Sequence, residues 1–70
     1  MTWEYLLLRW TVTRERMPVV FEVDGFALDP APLVDKLREL GAAGWELAGV
    51  GDDAGHTLFF KRPRGERPAL

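Results

Sequence analysis

Seventy residues with seven glycines, five prolines, one histidine and no cysteine make one small domain, and a chain of this length buries only about 60% of the surface it exposes when unfolded. The lack of cysteine excludes disulfide staples and thiolate metal ligands, and the single histidine, His56, excludes a multi-histidine metal site within one chain. A partner subunit is then the support left for a marginal core, while a net charge of −2 and a pI near 5.2 give no overall drive toward nucleic acid or an anionic membrane.

Trp3 to Val12 contains no glycine or proline and is rich in aromatic, leucine and threonine side chains, which predicts a first strand. Alternation places Trp3, Tyr5, Leu7 and Arg9 on one face and Glu4, Leu6, Leu8, Trp10 and Val12 on the other. Both faces are apolar, so each is expected to be covered by something other than water. Thr13 to Pro18 reads as a solvated connection, and Val19 to Val23 as a second strand with Val19, Phe21 and Val23 on one face. Asp24-Gly25 is a turn dipeptide that ends it. Phe26 to Leu28 either extends the strand past a bend or plugs the edge of the core.

Asp29-Pro30 reads as a helix start, with Asp at the N-cap and Pro at the first helical position. Leu33, Val34, Leu37 and Leu40 recur on one helical face, with Asp35, Lys36, Arg38 and Glu39 on the other. Gly41 takes the left-handed position that ends the helix, and Gly44 turns the chain back. Trp45 to Val50 forms the third strand, Gly51 to Gly55 a hairpin loop, and His56 to Arg62 the fourth strand. Leu58 and Phe60 lie on one side of that strand, with Thr57, Phe59 and Lys61 on the other.

The reading is an α+β domain over residues 1–63, followed by a flexible tail over 64–70. Its order is strand, strand, helix, strand, strand, giving an antiparallel four-stranded sheet with one helix packed on one face. Trp3 and Trp45 are placed beneath the helix. Leu6, Leu8 and Trp10, with Phe59 or Val50, are left on the far face as an apolar patch that a second copy is expected to cover, in a homodimer or higher oligomer.

Trp3-Glu4-Tyr5, the run from Leu37 to Leu40 into Gly41-Ala42-Ala43-Gly44-Trp45-Glu46-Leu47, and Phe60-Lys61-Arg62-Pro63 together resemble a family of small bacterial and phage proteins described only as a domain of unknown function. The resemblance spans residues 3 to about 63 and implies a fold, with no activity, cofactor or catalytic residue attached. Two positions depart from the family pattern. A charged residue is common where Ala43 stands, and a lysine is common where Leu6 stands.

No serine or cysteine nucleophile is present, and no phosphate-binding loop or dinucleotide fingerprint. An enzyme is therefore not expected, and neither is a cofactor. Asp52, Asp53 and His56 form the one cluster that could be drawn as a metal site, and turn chemistry is the favoured reading of it. Glu46 faces the expected contact surface and is expected to pair with Arg9 or Arg62, or else to act as a buried acid in a ligand cleft. Arg9, Arg14, Arg16, Arg62 and Arg64, with Lys61 and Arg67, are the candidate basic patch.

The expected function is a non-catalytic, self-associating protein-interaction module in the cytoplasm, with no apolar run long enough to enter a membrane and no charged-then-apolar leader. The alternative is a small-molecule or nucleic-acid binder with a cleft at the subunit interface near Trp10, Glu46 and the arginines. Nucleic acid is the less expected partner.

Overall fold

The fold follows from a long central strand whose two neighbours each turn back on it. A computed structural model describes residues 2–64. Its elements are β1 (Trp3–Val12), β2 (Pro18–Val23), β3 (Phe26–Pro32), α1 (Leu33–Ala42), β4 (Glu46–Val50) and β5 (Thr57–Pro63). The strands form one sheet in the order β3-β2-β1-β5-β4, and every neighbouring pair is antiparallel.

The sheet therefore has five strands, not four. The additional strand is β3, which takes in Asp29, Pro30 and Pro32, the residues that read as a helix start. Asp24 and Gly25 both have positive φ, at 52° and 84°, and Val23 pairs directly with Phe26. This is a two-residue hairpin turn of the kind Asp-Gly favours, and it continues the chain as a strand. Each of Asp29 and Ala31 precedes a proline and is pushed toward extended backbone. The prolines are tolerated because β3 is an edge strand, where an absent N–H breaks no ladder bond. The helix begins only at Leu33, behind Pro32, and has no side-chain cap.

The end of α1 is also displaced from the sequence reading. Gly41 lies inside the helix, and Gly44 carries the left-handed backbone at φ 89°. Trp45 N–H donates to the Leu40 carbonyl at 2.9 Å and Gly44 N–H to the Gly41 carbonyl at 3.0 Å. Those two bonds make a Schellman ending. The accompanying apolar contact is made by Trp45 and Leu40, both in the core cluster.

The core consists of Leu8, Val20, Leu40 and Phe60, with Leu6, Trp10, Val23, Leu28, Leu33, Trp45 and Leu58 packed around them. Leu6 stands opposite Phe60, Leu8 opposite Leu58, and Trp10 opposite Val20. Directly opposed residues share a face, so Leu6, Leu8 and Trp10 lie on the helix side. The face assignment of β1 is thus the reverse of the one expected. Alternation could not decide it because both faces of β1 are apolar. The aliphatic Leu6 and Leu8 fill the dry side, while Trp3, Tyr5 and Arg9, each with a polar group or a cation at hand, take the other. A bulge in β2 opposite Arg9 and Trp10 changes parity, so that Val20 and Val23 both face inward.

Candidate functional site

The sheet face away from the helix, called here the open face, carries the largest set of uncommitted side chains. Trp3, Tyr5, Leu7 and Arg9 of β1 line it, beside Phe59 and Lys61 of β5 and Glu46 of β4. Tyr5 is 70% exposed, Phe59 42% and Trp3 39%. Lys61 stands opposite both Tyr5 and Glu46, and its Nζ lies 4.7 Å from the centre of the Trp3 ring. Arg9 approaches Glu22 at 3.8 Å on the neighbouring strand. The face is therefore an aromatic strip with charges of both signs set into it.

The expected patch of Leu6, Leu8 and Trp10 with Phe59 or Val50 is split: Phe59 and Glu46 lie on this face, whereas Leu6, Leu8, Trp10 and Val50 lie on the helix side. Trp3, placed beneath the helix by the sequence, is on the open face. Glu46 is exposed, and among the described residues it has no ion pair: Arg62 is held by Glu4, and Arg9 lies across β5 from β4, nearer Glu22 than Glu46. Leu47 and Val50 face the helix side through their pairing with Phe60 and Leu58. They stay exposed because α1 packs mainly on β2 and β3.

The arginines do not converge. Arg62 donates from Nε to Glu4 at 2.6 Å and from a terminal nitrogen to the Ala43 carbonyl at 2.8 Å. Its guanidinium also lies 4.3 Å from the centre of the Trp45 ring. It is a clamp joining β5, β1 and the end of α1. Arg14 and Arg16 sit in the β1–β2 turn, where Arg16 has φ 63°. Arg64, whose N–H donates to the Thr2 carbonyl at 2.9 Å, lies at the other end of β1, about 30 Å away along the strand. The remainder of the expected tail, Arg67 included, lies outside the described residues.

A second feature is a cleft of about 350 Å³ lined by Arg9, Trp10, Thr11, Phe21, Asp53 and His56. The β2 bulge supplies Phe21, with the Arg9 guanidinium 6.0 Å from its ring centre. The β4–β5 loop supplies the other wall. Trp10 Nε1 donates to the Gly55 carbonyl at 3.0 Å, and the His56 ring packs on the indole with centroids 4.6 Å apart. Asp53 accepts from Thr57 N–H at 3.0 Å and from the Thr57 hydroxyl at 2.6 Å. The hydroxyl bond is the main reason its carboxyl titrates below the ordinary aspartate range.

Gly51 lets the loop pack closely, since a Cβ there would stand 3.0 Å from Thr57 Cβ and press on it. The Asp52, Asp53 and His56 stretch thus works as a turn, and no group of three or more His, Cys, Asp or Glu is placed to hold a metal among the described residues. The sequence reading missed Phe21, Thr11 and Arg9 as neighbours of this loop. The bulge that brings them together has no signature in the residue pattern.

No helix among the described residues is long and apolar enough to cross a membrane. Comparison with family models, with curated proteins and with solved structures finds no match.

Proposed function

We propose that this chain is a small self-associating interaction module without catalytic activity, and that the open face of its sheet is where a second copy docks. The observation that carries this reading is the exposure of Trp3, Tyr5 and Phe59 on one continuous sheet face that no element among the described residues covers. At about 200 Å² per aromatic side chain, these three leave roughly 300 Å² of ring surface in water, within the range of the largest apolar patch of a monomer, which is often functional.

Two copies face to face would bury about twice that from the rings alone. This is a third to a half of the total that stable interfaces cover, about 1,200–2,000 Å², and the rest of the sheet face can supply the remainder. A copy of this chain is also electrostatically suited. Arg9, Lys61, Glu22 and Glu46 lie within the same surface, so a two-fold arrangement can set cations against carboxylates. Among the described hydrophobic residues only Leu8, Val20, Leu40 and Phe60 are buried, a core small enough to favour a partner. Sedimentation velocity over a concentration series tests the proposal: a dimer or larger species at micromolar concentration supports it, and a monomer throughout ends it.

A further inference from the structure

We propose that the cleft between the β2 bulge and the β4–β5 loop binds a small planar aromatic monocarboxylate. The argument rests on which lining groups are already engaged within the protein. Trp10 Nε1 is held by the Gly55 carbonyl, and both Asp53 oxygens accept from Thr57. The polar groups left over can each donate: a guanidinium, a hydroxyl and an imidazole. The Arg9 guanidinium makes no hydrogen bond among the described residues, its 3.8 Å approach to Glu22 being too long for one. Among the described residues the Thr11 hydroxyl and the His56 ring nitrogens likewise make no hydrogen bond.

A carboxylate is the acceptor that suits a guanidinium fork with a hydroxyl and an imidazole beside it. The walls set the rest of the ligand. Phe21 and the Trp10 and His56 pair present ring surface, which a flat aromatic body covers by stacking. The volume of about 350 Å³ sits at the small end of ligand sites and admits one or two fused rings. Asp53 and Glu22 nearby set the charge: with two carboxylates at the rim, a singly charged anion is accommodated better than a phosphate dianion.

Two backbone features fix the geometry independently of any ligand. The bulge re-aims Phe21. The loop keeps Ala54 at φ 60° beside Gly55 at φ 81°, a left-handed conformation unfavourable for a non-glycine residue, and turns the Gly55 carbonyl to the indole. The cleft lies at the Arg9 to Thr11 end of β1 and the aromatic strip of the open face at the Trp3 to Leu7 end, with Arg9 bordering both.

The test is a titration of the full isotopically labelled chain, followed by amide and indole N–H shifts, with three probes: 2-naphthoate, its neutral amide 2-naphthamide, and inorganic phosphate. The inference predicts saturable shifts at Trp10 Nε1–H, Gly55 and His56 with naphthoate, with naphthamide and phosphate each at least about tenfold weaker. Arg9→Gln should weaken naphthoate by about tenfold, and Thr11→Val by about threefold, the second variant deciding the matter if the first does not fold. No saturable shift at these positions overturns the inference. So does equal binding of the amide or of phosphate, or unchanged affinity in the folded variants.

Discussion

Replacing Tyr5 with glutamate separates the stability of one chain from the stability of an assembly. Tyr5 is 70% exposed and faces Lys61 across the β1–β5 pair. In the single chain, a carboxylate there loses little packing and gains a cross-strand charge pair, so the fold should change by less than about 1 kcal/mol. In the proposed assembly the same side chain is covered. About 140 Å² of aromatic surface per copy, at about 25 cal/mol per Å², is worth about 3.5 kcal/mol as an upper value, and two-fold symmetry counts the position twice. Even half of the combined loss weakens association by more than about a hundredfold. The assay is sedimentation velocity on wild type and Tyr5→Glu across the same concentrations, with thermal melting of dilute samples as the control. A variant that sediments like an associated wild type would refute the placement of the contact, and melting that collapses in the dilute variant would refute the claim that Tyr5 is idle in the single chain.

Gly44 and Gly41 should respond in opposite directions, although neither has an atom within 4 Å of where a Cβ would sit. Gly44→Ala forces a side chain into φ 89° and should cost about 1–2 kcal/mol, lowering Tm by several degrees. Gly41→Ala lies in the helix and should add about 0.5–1 kcal/mol; a loss in its melting curve would contradict the assigned helix end. Arg62→Lys keeps the charge but not the fork over Glu4, Ala43 and Trp45. It should cost about 1 kcal/mol by denaturant unfolding, discounted for partial exposure of the side chain, and an unchanged midpoint would remove Arg62 as a clamp. Asp53 has a lowered folded-state pKa, so its contribution is present above the unfolded value and is lost as pH falls through the folded one. The Tm gap between wild type and Asp53→Asn should therefore close on acidification below about pH 4; a gap that widens would contradict the Thr57 bond as its cause.

How far the sequence could be read depended on whether one physical signal dominated each stretch. β1 and β5 were legible because runs rich in aromatic and aliphatic residues, free of glycine and of proline up to Arg62, admit little else. The end of α1 was legible as a place but not as a residue, since Gly41 and Gly44 each suit a left-handed backbone and only the hydrogen bonds of Gly44 and Trp45 distinguish them. β3 was misread because Asp-Pro is a good helix start as well as a good edge-strand dipeptide, and the choice turned on the Asp24-Gly25 hairpin delivering the chain back to the sheet. The inversion of β1 had a similar origin: with both faces apolar, the deciding information lay in which residues of β2 and β5 stood opposite. The cleft was not legible, because it depends on a bulge that moves Phe21 beside residues distant in sequence. Phe59 and Glu46 point away from the helix, which the more polar face of β4 and β5 suggested, but Phe59 lies beside Leu7 and not beside Leu6, Leu8 and Trp10 as expected.

The central claim is that a second copy covers the open face, and contacts between differently labelled copies test it most directly. In a mixed sample of isotopically labelled and unlabelled chain, isotope-filtered nuclear Overhauser spectra should connect the rings of Trp3, Tyr5 and Phe59 in one copy with side chains of the same strip in the other. Intermolecular contacts arising instead from Leu47, Val50 and the exposed side of α1, or none from the open face at concentrations where the chain is associated, would contradict the account.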